Sequence, residues 1–347
     1  MAGKKEGDPP MMTRATRIIF PLVMLIGFVM TANCQATGAS FTIVTGKAEG
    51  TYYSLGTALA EALAESLPEV SITVRPGSTA LVNLGMIQSG KIESAFVRST
   101  TAHLAFTGKD QFTDAPVANI RGIASLYPDA VQIVTRPAAY INTFKDLEGK
   151  IVIMGERAGS TSLDAGNMIK AAGMAPENFG KIEWLGSAEA ARMIREDLAD
   201  AAFLSSGIPS ATVMELCANT DISILGLEDT LIQKITETYP FYVRMSIPAD
   251  TYIDQTKPVN TVGAMAQWVC AAEVPEELVY QLTRALWEPA MPPFAGKDEK
   301  PLPPAALRIA WAHLKGIDLA LETALNAMAI PLHPGAERFY REKGLLK

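Results

Sequence analysis

The sequence is short of the side chains that metalloproteins and many enzymes depend on. It has three cysteines and three histidines in 347 residues. Cys34, Cys217 and Cys270 lack metal-ligand spacing, and His103, His313 and His333 are too scattered to suggest a zinc cluster. In an oxidising compartment Cys217 and Cys270 could pair; two buried thiols is the plainer reading. No basic run occurs and the formal net charge is −7, which argues against a nucleic-acid partner. Nucleotide fingerprints are missing too. GERAGSTS, Gly155 to Ser162, has no P-loop lysine, and GKAEGT, Gly46 to Thr51, lacks GxGxxG spacing. Around Ser205-Ser206-Gly207 no glycine stands two residues before a serine, so this is no nucleophile elbow. The expectation is a protein without catalysis and without a cofactor.

Long hydrophobic runs are scarce as well. Ile18 to Met30 is apolar but interrupted by Pro21 and Gly27, and it falls short of the roughly 20 residues of a spanning helix. Lys4, Lys5, Arg14 and Arg17 precede it, and small and polar residues with Cys34-Gln35-Ala36 come after it. Residues 1–36 therefore read as a cleavable secretory leader, with the periplasm as destination. Asn33 is a poor fit to lipoprotein processing at Cys34, and no twin-arginine pair is present. The leader carries four basic and two acidic side chains, leaving the rest of the chain at −9. With 48% hydrophobic and 19% charged residues the chain is globular, and the part beyond the leader is long enough for two lobes.

The chain does carry a repeated strand–loop–helix plan. Phe41 to Val44 alternates as a strand; Gly46 and Gly50 flank a loop; a helix with Leu55, Ala58, Leu59, Ala62 and Leu63 on one face comes next. Such a loop presents unpaired N–H groups at the positive end of a helix dipole, a ready anion site. A second strand at 71–74 is broken by Arg75-Pro76-Gly77. Helix 79–89 buries Leu81, Leu84 and Ile87, and a third strand, 93–97, ends at Arg98-Ser99-Thr100-Thr101. Strands are read at 123–126 and 131–135, then a new unit opens at Ile151 to Met154 with the loop Gly155 to Ser162. Asp197 to Phe203 repeats the third-strand pattern and ends in Ser205-Ser206-Gly207. Alternating strands and helices predict a parallel sheet with ligands beyond the carboxyl ends of its strands. The repeat predicts two similar α/β lobes, 40–135 plus 250–347 and 136–249, facing each other across a crevice. Crossings are expected near Arg136 and Met245, and the proline-rich stretch 289–304 reads as a loop.

TGKAEGTYYSLGTALA, RGIASLYPDAVQIV, FKDLEGKIV, YPFYVRMSIPADTY and HPGAERFYREKG stand in this order from about Phe41 to Gly344. Together they resemble the TAXI family of extracytoplasmic solute-binding proteins, which serve tripartite (TRAP) transporters and open with a segment like TGGTGGTYYPLGGALA. The resemblance implies a two-lobed, type II periplasmic-binding-protein fold with its ligand cleft between the lobes. It also implies delivery of a small solute to a membrane permease driven by an ion gradient, without catalysis; the expectation here is a monomer that binds a small organic anion. Dicarboxylates, oxo acids and acidic amino acids are the ligand classes in view. Two other readings share the fold: a protein presenting its ligand to a membrane sensor, and an enzyme of the pyrimidine-synthase or desulfonation type. The latter needs a reactive His or Cys at a loop end, where none is visible. Departures from the family pattern fall at the ligand loops. Lys47, Ala48 and Glu49 replace small residues, Arg98 stands where glutamine is common, and the Gly155–Ser162 loop has one extra residue.

The candidate ligand residues are distributed loop by loop. In the first loop they are Lys47, Ala48, Glu49, Thr51 and Tyr52; Ser78 and Thr79 lie after the second strand, and Arg98 and Ser99 after the third. Tyr127 flanks the crossing. Ser160, Thr161 and Ser162 open the helix of the second unit, and Ser205, Ser206 and Gly207 end its later strand. Arg98 suits a bidentate carboxylate clamp or, equally, an ion pair with a nearby acid. Ser160 to Ser162 suit both anion binding and N-capping. Glu49 suits a ligand ammonium, though a solvated loop charge is the commoner fate of such an acid. No metal site is expected.

Overall fold

The computed structural model describes residues 39–48, 50–157, 159–291 and 300–346. The leader reading, Glu49 and residues 292–299 of the proline-rich loop lie outside them. Short apolar runs form the strands: β1 (Ser40–Val44), β2 (Ser71–Arg75), β3 (Ser94–Arg98), β4 (Ile120–Thr135), β5 (Ile151–Ile153), β6 (Lys181–Glu183), β7 (Ala201–Ser206), β8 (Ser223–Leu225), β9 (Tyr242–Ile247) and β10 (Val259–Ala271). The helices between them are α1 (Thr51–Ser66), α2 (Ala80–Gln88), α3 (Ser99–Thr107), α4 (Ser160–Ala171), α5 (Ser187–Arg195), α6 (Ala211–Asn219), α7 (Asp229–Thr238), α8 (Glu276–Trp287), α9 (Ala305–Ala312) and α10 (Pro334–Glu342). None of the described helices is long and apolar enough to cross a membrane.

These strands form one sheet in the order β2-β1-β3-β10-β4-β7-β5-β6, with β8 beside β4 and β9 beside β10. β1 runs parallel to β2 and β3, and β5 parallel to β6 and β7. The order β2-β1-β3 is thus repeated as β6-β5-β7. β4 and β10 lie between these triplets, antiparallel to each other and to β3 and β7. The sheet is therefore mixed, where alternation alone suggests a parallel one, because the chain re-enters its centre through β10.

Phe41, Phe96, Trp268, Leu282 and Phe339 belong to one core, which takes in β4 up to Tyr127 and β10 from Ala266. Two further clusters sandwich β5 and β7. Phe144, Met168 and Phe203 lie on one face with β4 from Val131 and β10 up to Ala264; Ile153, Ala190 and Leu204 lie on the other. Alternation along β7 sends Phe203 and Leu204 to opposite faces. β4 and β10 therefore pass from one core to the next around Asp129 and Met265.

The two strands read at 123–126 and 131–135 are one. Pro128 suggests a break, but β4 carries an extra residue between Ser125 and Pro128, opposite Gln267 and Met265. A bulge there accommodates a residue with no N–H to give. Leu81 is a second correction: it is 42% exposed, and α2 buries Asn83, Leu84 and Ile87 instead. Asn83 is drawn inward by the carbonyl of Thr45 in the loop after β1. The HPGAERFYREKG segment is an anchor. His333 Nε2 bonds Val274 O at 2.9 Å, and Tyr340 OH donates to Ile123 O at 2.9 Å. A Cβ on Gly335 would run into the backbone of α8 at Glu276 and Tyr280. Cys217 and Cys270 are free thiols, Cys270 buried and Cys217 partly so, and burial pushes both up in pKa.

Candidate functional site

The loops after β1 and β2 are stitched together. Gly77 N donates to Gly46 O (2.8 Å), Asn83 Nδ2 donates to Thr45 O (2.8 Å), and Ser78 N donates to Asn83 Oδ1 (3.2 Å). A side chain at Gly77 would strike the Thr45 carbonyl, so glycine is what lets the loops touch. Lys47, Ala48, Thr51, Ser78 and Thr79 are all exposed on this rim. Thr79 is occupied as the N-cap of α2, accepting from Val82 N at 3.3 Å.

Tyr52 and Tyr127 stand below the rim, edge to face with ring centroids 6.1 Å apart, and Tyr52 also packs on Phe96 at 6.0 Å. Burial, reinforced by charge on Asp129, pushes the Tyr52 phenol far up, and its hydroxyl has no hydrogen-bond partner. Burial likewise raises Tyr127.

Arg98 ends β3 with its side chain 10% exposed. Its Nη2 lies 2.9 Å from Oδ2 of Asp164, which is fully buried on α4. The same carboxylate accepts from Ser205 Oγ (2.6 Å) and from Tyr242 OH (2.7 Å), which in turn accepts from Asn167 Nδ2 (3.1 Å). Of the two readings of Arg98, the ion pair is what the structure displays. Burial opposes the guanidinium's charge, but Asp164 and Asp129 outweigh it and strengthen its hold on the proton. Arg98 Nε remains buried without a partner.

Ser99 does not face a ligand: its buried hydroxyl donates to Phe241 O (2.8 Å) and accepts from Met265 N (3.0 Å). The N-capping reading of Ser160 to Ser162 is also corrected. Gly159 occupies the cap of α4 with no side-chain bond. Ser162 Oγ donates back to Gly159 O (2.9 Å), Thr161 Oγ1 accepts from Ser205 N (3.4 Å), and Ser160 is exposed. The first-turn N–H groups thus have no capping side chain. Ser206 Oγ accepts from Gln132 Nε2 at 3.1 Å, while Gln132 Oε1 accepts from Tyr252 OH at 2.5 Å.

Three residues that sequence reasoning passes over join this group: Asp129, Asp164 and Lys315. Lys315, in the turn of 3-10 helix after α9, donates Nζ to Ile208 O (3.0 Å), lies 3.4 Å from Asp318 and sits 5.9 Å from the Tyr127 ring centre. Gly207 leaves room for it, since a Cβ there would lie 2.5 Å from Lys315 Cε. Asp129 is two residues beyond Tyr127 on the same face of β4. Burial pushes its carboxyl up, although Arg98 and Lys315 pull the other way, and it takes no hydrogen bond or ion pair among the described residues. An acid inside the run LYPDAV is a signal that could have marked it. Asp164, an acid between Leu163 and Ala165 on the buried side of α4, is another. Lys315 carries no such mark. Among the described residues, no group of three or more His, Cys, Asp or Glu side chains is placed to hold a metal ion.

Solved structures share this architecture. A TctC solute-binding protein from Polaromonas, without ligand, is 16% identical with a TM-score of 0.51, covering 88% of this chain and 96% of its own. PhnD1 from Prochlorococcus marinus, in complex with methylphosphonate, is 10% identical with a TM-score of 0.51, covering 89% of this chain and 100% of its own. At such identities the likeness speaks for the fold, the two-lobed α/β fold of periplasmic binding proteins. The profile of the NMT1-like family matches residues 43–344, and the chain belongs to the NMT1-like family.

Proposed function

We propose that this protein is an extracytoplasmic solute-binding protein of a tripartite, ion-gradient-driven transporter. It closes as a monomer around one small organic anion in the periplasm, hands it to a membrane permease, and catalyses nothing. The observation that carries the reading is a set of unmet polar groups: the start of α4 without a capping side chain, Nε of Arg98, which is paired with Asp164 on that helix, and the hydroxyl of Tyr52, packed on Phe96 of β3. Buried polar groups without partners are costly and are expected to be met by something. The TAXI resemblance supplies the tripartite assignment, and the fold shared with TctC and PhnD1 supports a binding role.

The lobes of this reading are 40–135 plus 250–347 and 136–249; the separate cores support a two-part division whose change-over lies nearer Asp129 and Met265 than Arg136 and Met245, since Val131, Ile133, Val262 and Ala264 pack with the second part. Its ligand surface draws on Tyr52, Tyr127, Arg98 and the first turn of α4, with Lys47 and Ser78 at the rim. A ligand touching both lobes favours the closed state through its differential contacts. The test is a thermal-shift screen of dicarboxylates, oxo acids and acidic amino acids. A ligand at 100 times its Kd adds about 2.7 kcal/mol of stability and raises the melting temperature. No hit in the screen, alongside turnover of any of these compounds, would overturn the reading.

A further inference from the structure

The turn of 3-10 helix at Leu314–Asp318 is tied to both parts of the molecule. Its base belongs to the first part: Ile309 before it and Leu319 after it lie in the core of Phe96 and Trp268. Gly316 is pressed on the end of α9, where a Cβ would meet the backbone of Ile309 and Ala310 at 2.5 Å. His313 Nδ1 accepts from Lys315 N at 3.0 Å, which puts the proton of the neutral ring on Nε2; that atom donates to Ser54 Oγ on α1 at 2.9 Å. Within the turn Leu314 and Ile317 face solvent, 73% and 68% exposed, so polar contacts fix its inner residues. From this base Lys315 reaches past Asp318, 3.4 Å away, and donates Nζ to Ile208 O at 3.0 Å. Ile208 packs with Leu204 and Val213 in the second part.

The Arg98–Asp164 pair also joins the two parts, but the two ties break at different cost. Parting Arg98 from Asp164 leaves a fully buried carboxylate without its cation. Parting Lys315 from Ile208 leaves no buried charge. The ammonium is 15% exposed and keeps Asp318 beside it, and the carbonyl is neutral on a partly exposed residue, so water can take over the bond. We infer that the Lys315–Ile208 bond is a latch: it forms when the two parts close on one another, releases when they open, and biases the molecule toward the closed arrangement. Gly207 is the other half of the device, since its missing side chain gives the lysine its path. The strength of the latch sets how much of the closure a ligand has to supply. This rests on the two-part division and on no particular ligand.

Pulsed electron paramagnetic resonance tests it in the protein without added ligand. Spin labels go on Glu61→Cys of α1 and Met214→Cys of α6, both exposed, with Cys34→Ser and Cys217→Ser; Cys270 is fully buried. α1 holds the base of the turn and α6 follows Ile208, so their separation reads the latch. A hydrogen bond from a charged donor predicts that Lys315→Met lowers the closed-to-open ratio roughly 10-fold or more, seen as longer distances. Gly207→Ala puts a methyl group 2.5 Å from Lys315 Cε, on a flexible side chain; it evicts the lysine, keeps its charge and should lengthen the distances likewise. The double variant should be no more open than the more open single one, because both remove the same contact. Cooperative melting of each variant shows an intact fold. Unchanged distances in both single variants, or effects that add in the double one, would overturn the latch and leave solute binding standing. The thermal-shift screen can fail without touching this result.

Discussion

Arg98 and Asp164 invite a perturbation whose magnitude the structure sets. Replacing Arg98 with methionine keeps a long side chain in place but leaves the buried Asp164 carboxylate with two neutral donors, Ser205 and Tyr242. Removing one partner of a buried ion pair costs about 3–5 kcal/mol, because the other charge stays buried. For roughly 300 ordered residues at about 2.1 cal/mol/K each, that lowers the melting temperature by ~5–8 °C. The triple variant Arg98→Met, Asp164→Leu, Tyr242→Phe replaces the charges and the main neutral donor together. It should recover most of the loss, since a buried pair exchanged for apolar groups of similar volume is often neutral or stabilising. Thermal denaturation monitored by circular dichroism measures both. If Arg98→Met melts within 1–2 °C of wild type, or the triple variant is no more stable than the single one, the pair does not carry this stability.

Two more expectations concern Asp129 and Gly335. Burial raises the folded-state pKa of Asp129 above its unfolded value of about 3.9, so this group stabilises the fold below that value and loses the contribution as pH rises through the folded pKa. Asp129→Asn should therefore melt higher than wild type at pH 7 and no higher near pH 4; an equal gain at both would refute the linkage. Gly335→Ala forces a methyl group against the α8 backbone and should cost about 1–3 kcal/mol in urea denaturation, with ligand affinity unchanged because the contact lies away from the crevice.

Much of this fold is legible in the chain. β1 and α1 announce themselves through alternation and a helical stripe, and the loops after β1 and β2 meet as parallel strand order requires. The sequence also puts Arg98 at a strand end, where it is. Asp164 is marked as a buried-side acid, but its partner Arg98 comes to it only through the tertiary fold, and Lys315 reaches Ile208 only through packing of the C-terminal segment. Ser99 shows the opposite error. Its position at a strand end suggests a ligand, but Phe241, just before β9, and Met265 of β10, both from far later in the chain, use its hydroxyl. Pro128 misleads about β4 for a related reason, since the bulge that accommodates it depends on β10.

The place of β10 has a consequence for the order in which the molecule can be made. β3 and β4 are not neighbours; β10 lies between them, and it ends at Ala271. A chain growing from its N-terminus therefore reaches residue 258 with a gap in the middle of its sheet and neither flanking core complete. Closing that gap requires pairings between residues far apart in sequence, which makes folding slow. Until then both edges of the gap present open ladders, so the unfinished polypeptide is open to pairing with another chain until β10 arrives.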